Sequence, residues 1–107
     1  MSRVAVLGER DAVLGFRASG AVVFCADSLD EARDALAEVQ KGDFAILLVT
    51  EWVAGSLKAE LAPLYEEPKP VVTVLPDARG SGGAAMEILR KRVERAVGAN
   101  ILLNRKE

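Results

Sequence analysis

Histidine is absent from this sequence, and cysteine occurs once. Without histidine the commonest general base and metal ligand is gone. With Cys25 alone, neither a Cys/His zinc site nor a Cys–His nucleophile pair can be assembled from this chain. Aromatic residues make up only 5% of a chain that is 50% hydrophobic, so the core must be built from Val, Leu, Ile and Ala. No apolar run approaches the ~18 residues that a membrane span requires. Met1-Ser2-Arg3 leads directly into Val4-Ala5-Val6-Leu7, so no signal peptide is expected ahead of the first strand, and an intracellular, soluble protein is expected. Cys25 itself, inside the apolar run 22–26, reads as a buried, inert core thiol. Internal repeats and low-complexity tracts are also missing.

What is present fits one domain. At 107 residues a chain buries roughly two-thirds of its unfolded surface and needs no disulfide or metal to fold. The net charge of −2 hides an asymmetry. Residues 1–85 carry 8 basic and 13 acidic side chains, for −5, whereas residues 86–107 carry 6 basic and 3 acidic, for +3. The body is acidic and its last segment basic.

Four short apolar runs, at residues 4–7, 22–26, 44–49 and 71–75, are rich in β-branched residues and continuous rather than alternating. Strands read that way when both faces are buried in a parallel sheet. Parallel strands need crossovers of a dozen or more residues, usually helices, and segments of helical composition lie between the runs. The alternation predicts an α/β fold with a four-stranded parallel sheet flanked by helices. Asp11 is expected to cap a first helix that stops at Gly20 in a left-handed turn. Ser28 and Glu31 read as a capping box, and the following helix presents Leu29, Ala32, Leu36 and Val39 to the sheet before ending near Lys41-Gly42. A third helix is expected from Val53 to Tyr65, interrupted or ended around Pro63. Pro68 and Pro70 confine the next linker to extended geometry. A glycine-rich loop at 77–83 leads to the longest helical pattern, roughly 84–103. Residues 1–83 thus read as the sheet domain and 84–107 as a C-terminal amphipathic helix and tail, within one structural domain.

The tests for chemistry are mostly negative. The first strand ends Leu7-Gly8-Glu9-Arg10-Asp11, with one glycine where a dinucleotide fingerprint needs three. Gly80-Ser81-Gly82-Gly83 could cradle an anion on backbone N–H groups but lacks the Lys and Ser/Thr of a P-loop, and reads as a hinge. A receiver domain would need paired acids after the first strand, an Asp ending the third and a Lys after a fifth. Glu9 and Asp11 imitate the first requirement, but the third run ends Val49-Thr50-Glu51 and there is no fifth strand. Glu51-Trp52 at the sheet rim reads as an exposed acid beside a half-buried aromatic. Arg90-Lys91-Arg92 with Arg95 does not read as a nucleic-acid site, because acids dilute it and the protein is acidic overall. It reads as a solvated face, or one matched to an acidic partner.

Placed on a helix, Met86, Leu89, Val93, Val97 and Ile101 form one apolar stripe, with Asn100 inside it and Arg90 on its rim. Lys91, Arg92 and Arg95 lie opposite, where Ile88 and Leu102 also fall. A helix over 84–103 is about 30 Å long, against ~13–20 Å for strands of four to six residues. Leu102 and Leu103 are expected to overrun the sheet, with Gly98 as the break, since glycine costs ~1 kcal/mol inside a helix. Burying such aliphatic side chains is worth roughly 1.5–3 kcal/mol each, which a partner would supply.

Four stretches, in this order and spacing, resemble one family: "LGERDAVLGFRASG" at 7–20, "SLDEARDAL" at 28–36, "FAILLVTEWVA" at 44–54, and "PVVTVLPDARGSGG" followed by "VERAVGANILL". Together they span nearly the whole chain and are similar to the F subunits of V-type/A-type ATPases (ATP synthases). Ser19 stands where a small apolar residue is commoner, and Asn100 where an Asp is often found. The resemblance implies a small Rossmann-like (flavodoxin-like) domain with an extended C-terminal helix, and a non-catalytic subunit of the central stalk, the rotor shaft, without a cofactor or metal. It implies binding to the long coiled-coil D subunit, proximity to the nucleotide-binding A and B subunits, and coupling of ATP turnover to ion transport. The location implied is cytoplasmic, peripheral to the membrane without inserting into it, and without nucleic acid. On this reading the expected partner-binding residues are Arg17, Arg90, Arg92, Val97, Ile101, Leu102 and Leu103. The alternative is a receiver-like or flavodoxin-like signalling or adaptor module lacking a phosphoacceptor.

Overall fold

A computed structural model describes residues 3–76 and 84–105, with residues 99–105 described by their backbone alone. The four apolar runs form one parallel sheet in the order β2-β1-β3-β4, from β1 (Val4–Gly8), β2 (Val22–Cys25), β3 (Ile46–Val49) and β4 (Val71–Val74). Its centre is where both-sided burial holds. Every residue of β1 is buried, with Ala5 and Leu7 facing one layer and Val4 and Val6 the other. The edge strands differ. Val22 of β2 and Val71 and Val74 of β4 are exposed, because an edge strand has a neighbour on one side only. The continuous apolar run therefore overstates burial at the edges. Cys25, at the end of β2, is half-buried rather than buried.

The first layer holds α2 (Leu29–Lys41), α3 (Glu51–Ser56), α4 (Lys58–Leu61) and a 3-10 turn (Ala62–Glu66). Their Ala32, Leu36, Val39, Val53, Leu57, Leu61 and Leu64 close over Ala5, Leu7, Leu47 and Val49. Leu29, expected to face the sheet, is 40% exposed; it opens the helix, before the buried stripe begins. The capping at Ser28 holds. Its Oγ accepts a hydrogen bond from the Glu31 N–H at 3.2 Å, while the Glu31 carboxylate accepts from the N–H of Asp27 at 2.9 Å, one residue earlier than the usual reciprocal partner. Ser28→Ala is expected to lower stability by about 1 kcal/mol, measured as a shift in the urea midpoint at constant slope. The third helix differs from expectation. It starts at Glu51, capped by Thr50, whose Oγ1 accepts from the Val53 N–H, and it breaks at Leu57 well before Pro63. Arg33 of α2 and Glu60 of α4 form an ion pair at 2.7 Å. The hydrogen bond to Arg33 holds the Glu60 carboxyl below its usual range.

The second layer holds α1 (Arg10–Val13), a 3-10 turn (Leu14–Ser19) and α5 (Ala84–Arg105). Phe16, Val13, Met86 and Val93 pack there against Val4, Val6 and Leu48. Asp11 is not the cap of α1: Glu9 occupies the cap position without a side-chain cap. The first turn is instead met from outside, where the Asp27 carboxylate accepts from the Arg10 N–H at 3.3 Å. Gly20 does stop the segment in the left-handed region, at φ 89°. Gly98 does not break α5, which runs unbroken for 22 residues. One glycine costs only ~1 kcal/mol, and Glu94, Arg95, Ala96, Ala99 and Leu102, within about a turn of it, are strong helix formers.

Candidate functional site

Two concavities flank α5. The first lies at the carboxyl edge of the sheet, where β1 and β3 diverge toward α1 and α3, the usual ligand position in such folds. It encloses about 770 Å³ between Glu9, Asp11, Thr50, Glu51, Trp52 and Arg90, among others. Its geometry follows from a tight approach. A Cβ on Gly8 would collide with Thr50 Cγ2, so only glycine lets β1 and the turn into α3 come this close. Thr50, 6% exposed, is spent on structure: its hydroxyl donates to the Glu9 carboxylate and accepts from the Val53 N–H. Thr50 follows β3 where a receiver would carry its phosphorylatable Asp, and this hydroxyl is committed on both sides. Glu51 is exposed and Trp52 half-buried, as expected. Among the described residues no group of three or more His, Cys, Asp or Glu is placed to hold a metal ion.

The second concavity, about 560 Å³, runs between the Leu14–Ser19 turn and α5. Arg90 projects from α5 between the two. Its Nη1 donates to Glu87 Oε2 at 3.0 Å, and its guanidinium carbon stands 5.9 Å from the centre of the Phe16 ring. Phe16 is fully buried and Arg17 exposed. A Cβ on Gly15 would come within 3.0 Å of Arg90 Nε and Nη2, so the absent side chain is what lets the guanidinium lie against the turn. Two turns further along α5, Val97 Cγ1 comes 2.8 Å from where a Cβ on Gly20 would stand.

The residues expected to bind a partner are therefore partly gathered. Arg90 and Val97 lie along the seam between the turn and α5. Arg17, on the turn, and Arg92, on α5, are exposed. Ile101, Leu102 and Leu103 belong to α5 by their backbone, and their side chains, like that of Asn100, lie outside the described residues. So does the Gly80–Gly83 run read as an anion cradle or hinge. Ile88, read from the helical wheel as stranded on the polar face, is 55% exposed. The wheel missed Gly15 and Ala18, which line the groove. They belong to the stretch "GFRASG" that carried the resemblance, but nothing local reveals that an arginine far along the chain lies against Gly15. Among the described residues no helix is long and apolar enough to cross a membrane.

The comparisons with known proteins agree with one another. The family model of the ATP synthase (F/14-kDa) subunit matches residues 4–93. The F subunit of the V-type ATP synthase of Clostridium botulinum (strain Eklund 17B / Type B) is 34% identical over 100 residues, covering 94% of this chain and 97% of that one. The F subunit of the A-type ATP synthase of Methanothermobacter thermautotrophicus is 27% identical over 103 residues, covering 94% of this chain and 97% of its own. The crystal structure of the V-type ATP synthase F subunit of Archaeoglobus fulgidus superposes with a TM-score of 0.56 at 21% identity, over 70% of this chain and 98% of that chain, a likeness of fold. The family match over most of the sequence, the relatives that align along nearly its full length and the shared fold point the same way: this chain belongs to the family of V-type/A-type ATP synthase F subunits.

Proposed function

We propose that this chain is a non-catalytic subunit of the central stalk of a V/A-type ATP synthase. On this reading it grips the coiled-coil D subunit, helps couple ATP turnover in the A and B subunits to ion transport, and sits at the cytoplasmic periphery of the membrane. The observation that carries the reading is the shape of α5. At 22 residues it is about 33 Å long, while strands of four or five residues extend only ~13–17 Å. Its contacts with the body reach Val97 at Gly20, and the helix continues to Arg105. A helix that outlasts its own sheet, basic on one face, is suited to contact with another subunit. Arg17, Arg90, Arg92, Val97, Ile101, Leu102 and Leu103 are the residues assigned to that contact.

Two measurements test it. The chain is expected to co-purify with a long coiled-coil subunit and with nucleotide-binding subunits of the complex. Deleting residues 99–107 is expected to leave the domain folded, because Met86 and Val93, the buried anchors of α5, remain. The same deletion should weaken binding to the coiled coil by roughly tenfold or more, the effect of losing even one buried aliphatic side chain, or alter the ATPase rate of the reconstituted complex. Full-strength binding and unchanged turnover after the deletion would refute the role given to the tail.

A further inference from the structure

The groove between the Leu14–Ser19 turn and α5 holds a donor that the fold leaves unused. Arg90 Nε is shielded from solvent and has no acceptor among the described residues. Buried N–H groups are nearly always paired. Among the described residues this guanidinium is engaged through Nη1, by Glu87. The Nε–Nη2 edge rests against Gly15, and that edge is the one with which arginine takes a carboxylate in two parallel bonds. The side chain is still 37% exposed, so rotation about its outer bonds can turn the fork from the Gly15 backbone into the groove.

The surroundings favour an acidic visitor. Lys91 and Arg95 line the same groove, on the one segment that is net positive, while residues 1–85 carry −5. The opposite wall is made of Gly15, Ala18 and Ser19, small enough for an approaching backbone to come close. Glu87 and Glu94 also line the groove and would repel a phosphate backbone. Among the described residues no aromatic side chain lines it on which a base could stack. Three cations against two carboxylates leave this lining one positive charge in excess, a balance that suits a single carboxylate better than a polyanion.

We infer that this groove receives an aspartate or glutamate carried on a helix of the partner subunit, with Arg90 as the hook and Lys91 and Arg95 as flanking charges. The inference rests on the reading that the partner is a coiled coil, and adds which surface meets it and by what chemistry. The test titrates the full-length chain with the purified coiled-coil subunit at low and at physiological salt. Arg90→Glu is expected to raise Kd at least tenfold and Arg95→Glu severalfold. Arg90→Lys, which keeps the charge but loses the fork, falls between wild type and Arg90→Glu. Lys41→Glu, on α2 in the other layer, stays within twofold of wild type. Circular dichroism confirms that each variant is folded. Arg95 is exposed, so its variant keeps the test decisive should Arg90→Glu disturb packing. Wild-type affinity in both Arg90→Glu and Arg95→Glu overturns the groove while leaving the coiled-coil reading intact. Absence of binding by the wild-type chain overturns both.

Discussion

Phe16→Ala is expected to destabilise the protein by roughly 3–5 kcal/mol, the usual cost of deleting a buried aromatic ring and leaving its cavity. Phe16 is fully buried and heads the large side chains with no exposure. It sits in the core layer shared by Val6, Val13, Leu48, Met86 and Val93. The walls of the site come from the central strands and α5, so they cannot collapse inward without moving elements that are held elsewhere. A small domain has about 5–15 kcal/mol of stability in total, so this one change removes a large share of it. Urea titration followed by circular dichroism should show a much lower midpoint at an unchanged slope. A loss below about 1 kcal/mol would contradict the packing described. The effect has a functional side. The ring lies beneath Arg90, so Phe16→Ala and Arg90→Ala are expected to be non-additive in both stability and partner affinity.

The second large effect is expected from the smallest possible insertion. Gly8→Ala would drive a methyl carbon into Thr50 Cγ2 and bring it 2.9 Å from Thr50 Oγ1 and 3.0 Å from Val13 Cγ1. Overpacking of this kind costs about 1–3 kcal/mol. Here relief is blocked, because β1 is paired on both sides, with β2 and with β3, and cannot shift without breaking a ladder. The easier escape is for Thr50 to turn away. That surrenders the cap on α3, worth about 1 kcal/mol, and releases Glu9 into the carboxyl-edge cleft. A combined loss of roughly 2–4 kcal/mol follows, with faster exchange of the Val53 amide as its local signature. Thr50→Ser removes Cγ2 and keeps the hydroxyl. The double variant Gly8→Ala/Thr50→Ser is therefore expected to be more stable than Gly8→Ala alone. If it is less stable, the close contact is not the cause.

Much of the architecture could be read locally. The strands announced themselves as short β-branched runs, Ser28 and Gly20 marked a helix start and a stop, and the stripe Met86, Leu89, Val93, Val97 identified the buried face of α5. These signals share a cause: each depends on hydrogen bonds or periodicity within a few residues. The misreadings share one too. Asp11 is the nearer acid to the start of α1, yet Asp27 serves it from across the β2 turn. Pro63 is the obvious breaker, yet the third helix parts at Leu57, which is fully buried. Gly98 is a weak point on propensity alone, and the helix passes through it.

By itself, then, the sequence determined an α/β chain with four strands, no histidine-based chemistry and a basic, apolar-striped last helix, because composition and spacing act along the backbone. Only the tertiary structure decided which strands became edges, that Thr50 and Glu9 would lock together across the sheet rim, and that Arg90 would lie against Gly15 with a donor to spare. Those outcomes depend on contacts between residues tens of positions apart, whose partners are set by the packing of layers and leave no imprint on local sequence.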